Sequence, residues 1–181
     1  MANIYKATRY QQGLCVNCRS PRDSTRRLCL VCRKKQAEYA FNLRKKRIAE
    51  GNCGSCGGTA ETTSAIPSCL DCWFKHQSLL ATASKKNAPQ LRHLFGLQGG
   101  KCAYSGEPLL PGTNACLDHK TPRSRGGSDL IENLHWISKS VNRIKGTMTH
   151  EEFVSLCILV VRKHTTLLKS VGIQPLEAAG L

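Results

Sequence analysis

The chain has no long apolar run. Its 181 residues contain no segment of 18 or more apolar residues, which argues against a membrane-spanning helix. The opening stretch "MANIYKATRYQQ" lacks the apolar core of a signal peptide. Acidic residues are scarce, 12 against 27 Lys and Arg, and the formal charge is +15. That balance points to a polyanion partner, most simply nucleic acid, or else to a solvated surface with excess lysine. Large apolar residues are few in the first third of the chain, so that part has little with which to build a core. The length allows one ordinary domain, or two small ones held together with the help of metal.

What is present is cysteine and basic charge. Residues 1–86 carry 16 Lys and Arg against 5 Asp and Glu, whereas residues 87–181 carry 11 against 7, so the basic surface belongs mainly to the N-terminal half. Eleven cysteines in a secreted chain would suggest disulfides. Without a signal peptide, the expectation is an intracellular, cytoplasmic protein whose paired cysteines bind metal.

Eight of the cysteines form four C-x2-C pairs. Cys15, Cys18, Cys29 and Cys32 read C-x2-C-x10-C-x2-C, and Cys53, Cys56, Cys69 and Cys72 read C-x2-C-x12-C-x2-C. A two-residue gap lets one tight turn supply two thiolates, and Zn²⁺ takes four in a tetrahedron. The two sets also repeat: "GLCVNC" matches "GNCGSC", and "CLVCRKKQ" matches "CLDCWFKHQ". The repeat favours one zinc in each module, without exchange of ligands. Two structural zinc ions are therefore expected, in modules of general zinc-ribbon form.

A helix-like run follows each last cysteine. "RKKQAEYAFNLRKKRIAEG" has good helix formers, no proline, and Gly51 as a stop. Ala37, Ala40, Phe41, Leu43 and Ile48 offer a partial apolar face. Lys34, Lys35, Arg44, Lys45, Lys46 and Arg47 give two basic clusters, read as contacts to a nucleic-acid backbone or as a solvated face. "WFKHQSLLATASKK" is a less charged helix ending near Asn87 and Pro89. The expected divisions are 13–50 (first module and basic helix), 51–87 (second module and linker helix), 88–170 (a C-terminal domain) and 171–181 (a tail).

In the C-terminal half, "APQLRHLFGLQGG" reads as a short helix with Leu91, Leu94 and Phe95 on one face. "ACLDHK" and "ENLHWIS" read as strands around a glycine-rich loop, and "KSVNRIKG" as a helix stopped by Gly146. Thr149 and Glu152 form a capping box that opens a last helix. There Phe153, Leu156, Cys157, Val160 and Val161 fit helical spacing as core support. His150 and His164 fall on helix surfaces, and His135 suits a structural role as well as a contact to substrate or metal.

The string D-H-x2-P-x3-G-G-x5-N-L-x7-N-x2-K-G runs from Asp118 to Gly146. It resembles the HNH endonuclease family, of the kind found free-standing in phages and mobile introns. The resemblance covers about a quarter of the chain, residues 102–146. It implies a small α+β fold: a ββα-metal nuclease domain beside the two four-cysteine zinc modules and their connecting helices. It further implies one catalytic Mg²⁺ or Mn²⁺ on Asp118 and Asn142, with His119 as general base and Asn133 holding the loop. One carboxylate and one amide suit a hard cation, and an imidazole suits proton transfer at neutral pH. A bend in the strand would let the adjacent Asp118 and His119 serve one site. Arg123, Arg125, Arg143 and Lys145 are then candidates for gripping phosphates, or solvated charges.

Many HNH domains carry a zinc of their own on two further C-x2-C pairs. Here those positions read Cys102 and Ser105, then Ser138 and Val141, so no zinc is expected there. Cys102, Cys116 and Cys157 are expected as free, packed thiols. The leading expectation is a metal-dependent endonuclease positioned on double-stranded DNA by its zinc modules, with no membrane partner. The alternatives are a non-catalytic zinc-dependent DNA-binding or regulatory protein, and an RNA-directed factor or nuclease subunit of a larger assembly. Oligomeric state is left open.

Overall fold

The structure is a computed structural model that describes residues 2–62 and 66–170. The tail expected over 171–181 lies outside the described residues. The fold is small α+β, with seven α-helices and one two-stranded sheet among the described residues. The chain forms two compact units, Met1–Glu61 with Ala65–Ser68, and Thr62–Ser64 with Cys69–Leu181.

The first unit has helices α1 (Ala2–Gln11) and α2 (Leu30–Ala49). Twenty residues of α2 pass without Gly or Pro, and Gly51 follows at φ 74°, a left-handed turn that costs glycine little. The apolar face expected on α2 is not buried. Tyr39 and Phe41 are open to solvent, and Leu43 and Ile48 are only half-buried. The helix is anchored near its ends instead. Arg33 pairs with Asp23 at 2.9 Å, and Arg47 Nη1 donates to the Ser55 carbonyl at 2.9 Å.

One backbone turn occurs three times. Cys15, Cys53 and Cys102 each accept, at the carbonyl, the N–H of the residue four along: Arg19, Gly57 and Gly106. Each returns its own N–H to the carbonyl five along: Ser20, Gly58 and Glu107. The bridges Leu14 to Pro21, Asn52 to Thr59 and Lys101 to Pro108 close the three turns identically. The first two carry the leading C-x2-C pairs of the two cysteine sets read from the sequence. The third, in the other unit, keeps the shape with a single cysteine.

The second unit contains α3 (Leu70–Thr82), α4 (Ala88–Leu97), β1 (Ala115–His119), β2 (Leu134–Ser138), α5 (Lys139–Lys145), α6 (His150–Lys163) and α7 (Thr165–Ser170). Strand β1 pairs antiparallel with β2, Ala115 opposite Ser138 through His119 opposite Leu134. The few aromatic residues are concentrated here. Trp73, Phe74, Phe95 and Trp136 form one cluster, with the two indoles stacked at 5.1 Å. Trp136 is fully buried, and its Nε1–H donates to the Leu91 carbonyl at 3.0 Å. Gln98 caps the outer edge of β2, taking the Trp136 N–H at 2.8 Å and donating to its carbonyl at 2.9 Å. Trp73 and Phe74 come from α3, so the helix read as a linker belongs to this core, and the units part before it.

The last helix departs from expectation. Its capping box is present, with Thr149 and Glu152 each bonded to the other's backbone. Phe153 is buried against Tyr104, with ring centroids 4.8 Å apart. Beyond that turn Leu156, Cys157, Val160 and Val161 are exposed. The helical period was right, but only its first turn meets the core. Cys157 is accordingly not a packed thiol.

Candidate functional site

Each set of four cysteines gathers into a cluster whose sulfurs lie within 4.8 Å of one another. A zinc ion at about 2.3 Å from each of four sulfurs requires that spacing. The donors fit. Cys29 and Cys69 are the N-caps of α2 and α3, so the second C-x2-C of each set is formed by the opening turn of a helix. Backbone N–H groups point at the sulfurs, as from Cys72 to Cys69 at 3.5 Å and from Gly58 to Cys56 at 3.4 Å. Crowding also spreads the proton affinities of the first set. The Cys18 backbone draws Cys15 down to about 6, while the Cys18 side chain and burial push Cys32 up to about 12.

In the second unit, strand alternation places Cys116 and Asp118 on one side of β1 and Leu117 and His119 on the other. The side bearing Cys116 and Asp118 faces α5. Asn142 Nδ2 donates to Cys116 Sγ at 3.2 Å, and Lys145 Nζ lies 3.0 Å from Asp118 Oδ2. His135, directly opposite Asp118 on β2, puts Nε2 3.3 Å from the same oxygen. Burial pushes the Asp118 carboxyl up, but His135 and Lys145 outweigh it and hold it below the ordinary value.

Lys145 was expected on a phosphate and is fully buried instead. Its ammonium is spent on Asp118 and on the His119 carbonyl at 3.0 Å. Arg123 and Arg125, also expected on phosphates, are engaged within the chain. Arg123 holds Asp129 through Nε at 2.6 Å and Nη2 at 2.7 Å and also reaches the Ala81 carbonyl; Arg125 pairs with Glu152. Arg143 is exposed, as are Lys34, Lys35, Arg44, Lys45 and Lys46, whereas Arg47 is half-buried on Ser55.

The bend expected in β1 is not marked by any bulge, and Asp118 and His119 keep to opposite sides of the strand. The β1–β2 register runs unbroken. Asp118 and His119 nevertheless border one cleft of about 430 Å³, with Cys116, Leu117, Pro122 and Arg123 and with Gln77, Leu80 and Ala81 of α3. His119 Nε2 lies 2.9 Å from Asp129 Oδ1. The Asp129 carboxyl is held low, first by Arg123 and then by His119. An ionised carboxylate only accepts, so Nε2 carries a proton, and in the neutral ring Nδ1 then holds the lone pair.

Asn133 ties down the glycine loop. Its Oδ1 accepts the Thr121 N–H at 2.9 Å, and its Nδ2 donates to the carbonyls of Thr121 at 3.0 Å and Ser128 at 2.8 Å. Gly127 passes so close to the Thr121 carbonyl that a Cβ would sit 1.7 Å from that oxygen.

Sequence reasoning missed Asp129. Its signal was a single acid in a loop that also holds two arginines, ten residues after His119. It also placed His150 on the surface; His150 stacks on Tyr104 and bonds its hydroxyl at 3.1 Å. Burial, and the negative charge of Asp118 after it, push that Tyr104 hydroxyl up to about 12.

No family model, no curated protein and no solved structure matches the chain. No helix among the described residues is long and apolar enough to cross a membrane.

Proposed function

We propose that the protein is a metal-dependent endonuclease of the HNH type that hydrolyses phosphodiester bonds in DNA. The observation that carries this reading is the shared cleft. Asp118 and His119 open onto it from adjacent positions of β1, while Asn142 approaches the Asp118 side from α5. Asp118 and Asn142 fit a hard divalent cation in donor type and in side. Among the described residues no hydrogen bond reaches Asp118 Oδ1 or Asn142 Oδ1, which leaves one oxygen on each. Mg²⁺ or Mn²⁺ held there would supply positive charge for the phosphate and the leaving oxygen.

The chain's own residues supply the proton chemistry. His119 takes a proton from water at Nδ1, and the hydroxide attacks phosphorus as the 3′-oxygen departs. Asp129 fixes the ring by accepting from Nε2–H, as a third group orients the base in a catalytic triad. Asn133 holds the loop that carries Asp129 in place. The four-cysteine modules and the exposed Lys34, Lys35, Arg44, Lys45 and Lys46 of α2, with Arg143, give backbone contacts to the duplex.

The test is cleavage of supercoiled plasmid with Mg²⁺ or Mn²⁺ by the zinc-loaded chain. Nicked product is expected from the wild type and none from His119→Ala, with DNA retention unchanged in a mobility-shift assay. Retention without cleavage in the wild type overturns the enzymatic reading. It favours a zinc-dependent DNA-binding protein instead, and the ion pair from Asp118 to Lys145 is the observation on that side.

A further inference from the structure

We propose that α6 packs antiparallel against α6 of a second copy of this chain. Past its docked first turn, the helix shows Leu156, Ile158, Leu159, Val160 and Val161 at 42–62% exposure. Successive residues advance by 100° around a helix. These side chains and Cys157 therefore circle it, and a helix that is apolar all round is one that belongs buried. Leu167 of α7 extends the apolar surface at 59% exposure.

The helix fits a copy of itself. Glu152, Leu156, Leu159 and Lys163 follow at intervals of four, three and four residues, so they form one stripe. Set antiparallel, the pairing that brings Glu152 to the second copy's Lys163 also brings Leu156 to the second copy's Leu159. Glu151 and Arg162 flank the stripe with the same polarity. Parallel copies would set acid against acid and base against base. Glu152 already holds Arg125 through Oε2, which fixes its carboxylate at the end of the stripe. Half-exposed aliphatic side chains of this number offer on the order of 500 Å² of apolar surface, the size of the largest patch a typical monomer shows. A paired helix covers only the side that faces its partner, so two copies bury roughly 500 Å² along the stripe, a small contact that suits a weak, reversible dimer. A twofold pairing is closed and self-complementary, so it stops at the dimer.

Sedimentation equilibrium of the zinc-loaded chain from about 1 to 100 µM tests the pairing across the affinity range such an interface supports. The expected result is a reversible shift from 19.9 kDa to twice that mass. Leu159→Glu should return the protein to monomer throughout. Lys163→Glu, which sets acid against the second copy's Glu152, should weaken association about tenfold or more. Leu97→Glu, at a leucine 72% exposed on α4, should leave association unchanged. A 19.9 kDa species at every concentration overturns the proposal. A dimer that survives Leu159→Glu overturns it too, by placing the contact elsewhere. Far-ultraviolet circular dichroism of each variant separates lost pairing from lost fold.

Discussion

Lys145 Nζ lies 3.0 Å from Asp118 Oδ2, and no part of Lys145 reaches solvent. A buried ammonium keeps its charge only beside a partner, so this pair locks α5 to β1. Lys145→Met removes the cation and leaves the carboxylate to His135. The expected loss is about 2–3 kcal/mol in urea unfolding, below the ~3–5 kcal/mol of a wholly unpaired buried charge because His135 remains. The pH dependence has a definite sign. The Asp118 carboxyl is held below its ordinary value in the folded protein. The stability it contributes is complete above the unfolded value of ~3.9 and is lost as pH falls through the folded one. Acid titration of Lys145→Met should show a smaller loss in that window than the wild type.

Gly127→Ala should disrupt the loop between the strands. The added carbon meets a carbonyl oxygen of the backbone, which cannot rotate aside, and crowds Asn133 Nδ2 at 3.0 Å. A loss of several kcal/mol is expected, beyond the usual ~0.5–3 for a point change. Chemical shifts of Thr121, Ser128 and Asn133 should move together; a variant with wild-type shifts there would contradict the geometry.

The third knuckle repeats the backbone of the two cysteine knuckles with Cys102 alone. The Ser138 N–H donates to Cys102 Sγ at 3.4 Å, and Ser138 Oγ caps α5 through the Val141 N–H, as Cys69 Sγ caps α3 through Cys72. Ser105 bonds the Cys102 sulfur; with help from nearby backbone N–H groups this outweighs the upward push of burial and holds that thiol below its ordinary value. Ser105→Cys, Ser138→Cys and Val141→Cys together should restore four converging thiolates. Zinc content by atomic absorption should rise by about one ion per chain, from about two. An unchanged stoichiometry would mean that the likeness stops at the backbone.

Chelation should separate the two units. In the first, the buried cluster is Cys15, Cys29 and Cys32, with Leu28 packed against it. The second has Trp136, Ile137, Leu134 and Leu91 for a core. Removing zinc should collapse amide dispersion over residues 13–61 and leave Leu134–Ser138 dispersed. Equal loss in both regions would tie the aromatic core to the metal.

The elements that announce themselves by local chemistry were legible in the sequence. Cysteine spacing located both metal clusters, Thr149 and Glu152 marked the start of α6, and Gly146 closed α5. Asp118, Asn133 and Asn142 stood out as a string. What stayed hidden depends on partners distant in the chain. Nothing near Lys145 says that its ammonium is buried, because the reason is Asp118, 27 positions earlier. Arg123 and Arg125 look like phosphate ligands until Asp129 and Glu152 fold onto them. Alternation along β1 was readable, but α3 as the far wall of the cleft was not. The apolar period of α6 showed which residues avoid water without showing what they would meet.

Helix α2 has a consequence for phase. Its middle, residues 34–42, is exposed, and its two ends are pinned, at Cys29–Cys32 and by Arg47 on the second knuckle. One inserted residue would turn the far knuckle by about 100° and advance it by about 1.5 Å, without disturbing either turn. Four inserted residues would bring it nearly back into phase, about 6 Å further on. The two knuckles are thus set at a fixed angle as well as a fixed distance, and any surface they must meet together is specified by the count of residues between them.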